Sequence, residues 1–147
     1  MRIIVQRCDK AEVRVEGKVV GKINYGMMLL VSFTYGDTEK EIDYLVNKVL
    51  NLRIFDDENG VMNKSILDIN GEILSISQFT LYANTSKGNR PSYIDALKGE
   101  ESIKLYDMFN EKLKSKIHTE TGVFGAEMKV DFINDGPITI LLEKENK

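Results

Sequence analysis

Polar side chains that could do chemistry gather in three short segments of this chain. The first is SQFTLY, residues 77–82, where Ser77, Gln78 and Thr80 stand among Ile76, Phe79 and Leu81. The segment reads as a strand, and polar side chains on both faces of an interior strand are costly unless partnered. Two readings stand. In the plain one this is an edge strand with threonine at a favourable β position. In the functional one Ser77, Gln78 and Thr80 line a pocket, and main-chain N–H groups at the strand end could hold a developing oxyanion. A threonine hydroxyl is a poor nucleophile without activation, and no histidine or lysine base is evident beside Thr80.

The second segment is SKGNRPSY, residues 86–93, with Lys87 and Arg90 beside Gly88 and Pro91. Such a loop is often simply solvated. It also suits a phosphate backbone, since the cations supply charge and glycine permits close approach. The third is NDGP, residues 134–137, which holds one of only two prolines. It reads as a tight turn before an edge strand, where proline costs no ladder bond. Alternatively the Gly136–Pro137 bond is cis, a geometry that X–Pro bonds reach at modest cost. Two adjacent carbonyl oxygens would then lie on one side and could grip an ammonium group. The sequence leaves the isomer open.

Other chemistry has little to work with. There is one His and one Cys, so a His- or Cys-rich zinc site is nearly excluded. His118 ends the lysine-rich helical stretch EKLKSKIHTE and reads as a surface histidine. Cys8 has no partner for an intramolecular disulfide, which points to a reducing compartment. MRIIVQRCDK breaks at Gln6 and Arg7 and is no signal peptide. No apolar run approaches the roughly 20 residues of a membrane span. The expectation is a cytoplasmic protein with no membrane association.

Several elements would position these segments. RIIVQR opens as a strand, and AEVRVEGKVVGKI reads as a hairpin turning at Glu16-Gly17. GMMLLVSF, residues 26–33, is an apolar run suited to a strand buried on both faces. Thr38 and Glu41 form a capping box before a helix whose stripe is Ile42, Leu45, Val46, Val49 and Leu50. DDENG, residues 56–60, is a turn. SILDINGEILSISQFTLY reads as two strands about Asn70-Gly71, a strong hairpin signal. A second helix runs from about Glu100 to Ile117, with Ile103, Tyr106, Phe109, Leu113 and Ile117 as its stripe. MKVDFI alternates as a strand, and Ile138–Leu142 is the last one, entered through the NDGP turn.

The chain of 147 residues is long enough for one domain with a proper core, 1–147. Seven or eight strands and two helices predict an α+β fold. The mostly antiparallel sheet curls toward a barrel, and the two main helices cover one open face. A net charge of −3 is not the global signature of a nucleic-acid binder, though a local basic patch remains allowed.

Taken together, VQR, LNLRIFDDENGVMNKS, SQFTL, KGNRPSY, TGVFGAEM and NDGPIT resemble, in order and spacing, the D-aminoacyl-tRNA deacylase family. The resemblance runs from Met1 to about Leu142. Ile138 and Tyr93 are its mild departures. It implies hydrolysis of the ester joining a D-amino acid to the 3′-terminal adenosine of tRNA, and removal of mischarged glycine. It implies a homodimer without metal or cofactor, and an active site at the subunit interface. The cis Gly136–Pro137 of one subunit would enter the pocket of the other as the chirality filter, with Arg7 orienting it. Thr80 matches a threonine considered as nucleophile. The alternative is that Ser77, Gln78, Phe79 and Thr80 position ester and adenosine, with the tRNA 2′-hydroxyl helping to activate water. Phe79, Phe124 and Met128 would wall the pocket or simply pack the core. Lys87 and Arg90 would meet acceptor-stem phosphates. A non-catalytic RNA-binding module and a trans Gly-Pro deacylase of L-aminoacyl-tRNA are the competing readings.

Overall fold

The computed structural model describes residues 1–146. The elements run β1 (Arg2–Val15), β2 (Lys18–Ile23), β3 (Gly26–Ser32), α1 (Glu39–Asn51), β4 (Phe55–Asp56), β5 (Met62–Lys64), β6 (Glu72–Ser77), a 3-10 turn (Phe79–Tyr82), α2 (Glu100–Lys114), β7 (Thr119–Thr121) and β8 (Lys129–Glu143). The main sheet has the order β2-β1-β3-β6-β7, and β8 pairs with β1 along its other edge. Most pairings are antiparallel; β3–β6 and β6–β7 are parallel. β2 closes back on β7 so tightly that a Cβ at Gly21 would stand 2.7 Å from the Thr121 carbonyl oxygen. The result is a nearly closed, barrel-like sheet with two helices packed on it, the expected α+β class.

β3 separates two apolar clusters by simple alternation. Met27, Leu29 and Val31 point to the cluster shared with α1 and α2, while Met28 points into the barrel with Cys8, Val13, Leu74 and Ile76. Successive side chains on a strand face opposite sides, so a strand buried on both must be apolar throughout. Helix α1 starts as its capping box requires. The Thr38 N–H donates to Glu41 Oε2 at 2.7 Å, and Lys40 N–H donates to Thr38 Oγ1 at 3.3 Å. Lys112 of α2 ties the helices together through Glu39 and Asp43 at 2.8 and 2.7 Å, so this lysine does more than solvate a surface.

Four expectations need correction. RIIVQR and AEVRV are one strand, β1, which bends as its partners change from β3 to β2. MKVDFI and ITILL are likewise one strand, β8. NDGP is no turn between them but an irregularity within it, where the β1 register shifts between Gln6 and Cys8 and the Gly136–Pro137 bond is cis. Asn70-Gly71 is no hairpin. Ser65 and Asp68 cap each other reciprocally, at 2.9 and 3.1 Å, and open a single helical turn. Asn70, at φ +51°, ends that turn, with Gly71 N–H donating to Ile66 O and Asn70 N–H to Leu67 O. These two bonds form a Schellman closure, which competes with the hairpin for the same residues. Last, Ile103 is 37% exposed, and Ser102 is the buried residue of that turn of α2.

Candidate active site

A pocket of about 310 Å³ opens where β6 ends, lined by residues including Ser77, Gln78, Phe79, Phe124, Met128 and Ser102. SQFTLY is not a continuous strand. β6 stops at Ser77, the Gln78 N–H donates to Val31 O at 2.8 Å, and the chain then tightens into the 3-10 turn. That turn is closed by Leu81 N–H to Gln78 O and Ala83 N–H to Thr80 O. Between these bonds the N–H groups of Phe79 and Thr80 find no main-chain acceptor among the described residues. Such orphan donors at the start of a helical turn suit an anionic oxygen.

Ser77, Gln78, Phe79, Phe124 and Met128 therefore meet at one cavity. Thr80 stands beside it, half-buried, accepting from Gln78 Nε2 at 2.5 Å. Ser32 Oγ donates to the Phe79 carbonyl at 3.4 Å and steadies the turn. Behind the wall, the Tyr106 hydroxyl donates to Ser75 O at 2.7 Å, and its ring lies 5.7 Å from that of Phe124. Burial, above all, raises the Tyr106 phenol, so it stays a neutral donor. Ser102, Leu97 and Ser32 also line the pocket and carried no signal in the sequence, because β3, α2 and the segment leading into α2 reach this end only by folding.

A second constellation surrounds Arg7, which is 6% exposed. Its Nη1 donates to Ile54 O at 2.8 Å, and its Nε to Asp135 O at 3.2 Å. The carboxylates of Asp135 and Asp56 lie 3.1 and 3.5 Å from its guanidinium. The Tyr25 hydroxyl donates to Asp135 Oδ2 at 3.0 Å, and burial followed by that bond pushes its pKa up to about 12. Gly136 and Pro137 are thus gripped at Asp135, yet both are exposed, and neither lines the pocket of its own chain. Gly136 has φ +130°, a backbone shape that glycine adopts readily.

Lys87 and Arg90 sit in an exposed loop pinched by the Asn84–Ser92 bridge, and neither has a carboxylate partner among the described residues. His118 is exposed, with Nε2 3.6 Å from Glu120. Among the described residues no group of three His, Cys, Asp or Glu side chains could hold a metal ion. No described helix is long and apolar enough to cross a membrane.

The family of D-Tyr-tRNA(Tyr) deacylases matches residues 4–143. A D-aminoacyl-tRNA deacylase of Bacillus cereus strain B4264 is 51% identical over 146 residues, covering 99% of this chain and all of the relative. One from Bacillus thuringiensis strain Al Hakam is equally similar, over the same shares. Among solved structures, one titled c-Myc DNA Unwinding Element Binding Protein superposes with a TM-score of 0.94 at 40% identity, covering 99% of this chain and 100% of the other. A probable eukaryotic D-amino acid tRNA deacylase shares the fold, with a TM-score of 0.83 at 18% identity over 96% and 97% of the two chains. With a family match across nearly its whole length, and whole-chain relatives above half identity, the chain belongs to the D-Tyr-tRNA(Tyr) deacylase family, hydrolases that cleave the ester bond of D-aminoacyl-tRNA.

Proposed function

We propose that the pocket at the end of β6 receives the 3′-terminal adenosine and its D-aminoacyl ester, and that hydrolysis runs on positioning rather than on a protein nucleophile. The observation that carries this is the pair of N–H groups at Phe79 and Thr80, without a main-chain acceptor among the described residues, beside a cavity walled by Phe79, Phe124 and Met128. Aimed at the ester carbonyl oxygen, they stabilise the charge that develops there as water adds. The tRNA 2′-hydroxyl, adjacent to the ester, helps to activate that water. An aminoacyl ester is already reactive, so orientation supplies much of what remains. Thr80 Oγ1 is engaged by Gln78 Nε2, with no base at hand among its hydrogen bonds, which supports a positioning role.

The chain works as a homodimer in this reading. Gly136 and Pro137 of one copy enter the pocket of the other, where their carbonyl oxygens grip the substrate α-ammonium. An L side chain would be driven into that wall, while a D side chain points away. Glycine offers no side chain to reject, so Gly-tRNA is also cleaved. The exposure of the two residues, gripped from behind through Arg7 and Asp135, supports an element built to project. Lys87 and Arg90 contact acceptor-stem phosphates, and the enzyme acts in the cytoplasm without a cofactor.

The test offers matched D-Tyr-tRNA, L-Tyr-tRNA and Gly-tRNA and follows amino-acid release. Cleavage of the first and third, with the second intact, is expected. Equal cleavage of both tyrosyl enantiomers refutes the filter, and tRNA binding without any cleavage refutes the positioning of the ester.

A further inference from the structure

We infer that Lys98 is a binding residue for the 5′-phosphate of the terminal nucleotide, held at the pocket mouth on an aromatic seat. Its Nζ lies 5.2 Å from the centre of the Phe79 ring and 5.9 Å from that of Tyr93. Those two rings meet edge to face at 5.1 Å, so the seat is itself braced. A cation over aromatic faces is attracted by their quadrupoles, and the contact restricts a side chain that would otherwise roam. The seat marks the rim because Phe79 lines the pocket and is 46% exposed, while Leu97, the neighbour of Lys98, lines it as well.

The charge on Lys98 is uncommitted. Lys112, Lys64 and Lys114 all face carboxylates, whereas Lys98 has no ion-pair partner among the described residues. The assignment of Lys98 rests on the proposed placement of adenosine in the pocket. A ribose ester buried beyond Phe79 leaves its chain over the rim, and the first group to leave is a phosphate. An unpaired ammonium there meets it. The seat keeps that cation near the exit, which lowers the entropy lost on binding. Lys87 and Arg90, out on the 84–92 loop, are left for phosphates further along.

The test compares two small esters that differ by one phosphate: 3′-O-D-tyrosyl-adenosine and its 5′-monophosphate. The unsubstituted protein should prefer the phosphorylated ester in KM by roughly fivefold at low salt, the size of a good exposed ion pair. Lys98→Gln should abolish that preference and leave the unphosphorylated ester unchanged. Lys98→Arg should restore it. On full D-Tyr-tRNA, Lys98→Gln should flatten the log–log salt slope of binding by about 0.7, one single-strand phosphate. A preference that survives in Lys98→Gln, or its absence in the unsubstituted protein, overturns the assignment, as does an equal loss on both esters. If the unsubstituted protein cleaves D-Tyr-tRNA but neither small ester, the placement of adenosine in the pocket fails, and the role of Lys98 fails with it.

Discussion

Replacing Arg7 by methionine keeps an apolar stem of similar length and removes only the guanidinium. The carbonyl of Ile54, in a buried residue, then loses the 2.8 Å donor it has now. An orphaned buried acceptor costs about 1–3 kcal/mol. The Asp135 carbonyl loses its 3.2 Å donor too, but the Asp135 carboxylate keeps the Tyr25 hydroxyl and is partly exposed, so it adds less. The sum is about 3 kcal/mol, or roughly 6–12 °C in Tm for a chain of this size. Urea unfolding at one fixed protein concentration measures it, since an oligomer's midpoint depends on concentration. With Asp135 held by Tyr25 alone, Gly136 and Pro137 lose most of their anchor, and the preference for D- over L-Tyr-tRNA should drop roughly tenfold. A loss below about 1 kcal/mol with intact discrimination would refute the claim that Arg7 holds this segment.

Thr80→Ala should keep turnover within about tenfold, whereas loss of a true nucleophile would remove several orders of magnitude at unchanged tRNA affinity; single-turnover release of D-tyrosine separates the two. Gly122→Ala places a Cβ 2.6 Å from Met128 Sδ and 3.2 Å from Ile76 Cδ1, so Met128, a residue of the pocket lining, must shift. KM for D-Tyr-tRNA should rise, with a stability cost of about 1–2 kcal/mol by urea unfolding. Lys87→Ala with Arg90→Ala should weaken tRNA binding and flatten its salt dependence in a filter-binding titration. At Glu41 burial favours the neutral acid, but hydrogen bonds from the Thr38 hydroxyl and N–H outweigh it and hold the carboxyl below its ordinary 4.5. A lowered folded pKa stabilises above the unfolded value and fades as pH falls through the folded one. Glu41→Gln should therefore flatten the stability profile between about pH 5 and pH 3 and change little in its shape at pH 7.

Short-range signals in the sequence proved sufficient wherever the deciding contacts are local. The Glu16-Gly17 hairpin, with φ of 50° and 78°, and the Thr38–Glu41 capping box each close within a few residues. The apolar run of β3 needed no knowledge of its partners, since burial on both faces demands it whichever strands lie alongside. Ser77, Gln78, Phe79, Phe124 and Met128 were also legible as pocket residues, partly from polar groups in an apolar setting and partly through family resemblance.

Long-range pairing decided the rest. Asn70-Gly71 carries a hairpin signal, but β3 and β7 take the two edges of β6, which leaves none for a hairpin partner, and the Ser65–Asp68 cap claims the turn. The end of β6 at Ser77 depends on where Val31 offers its carbonyl, which no window around SQFTLY contains. The same holds for Lys98 on Phe79, for Tyr106 behind β6, and for Arg7 reaching Asp135 across 128 residues. Residue type and spacing thus chose the local turns, caps and buried faces, because those energies are settled within a few bonds. Only the tertiary structure, through hydrogen bonds between distant segments, decided which strands pair and therefore where the pocket opens and what stands at its rim.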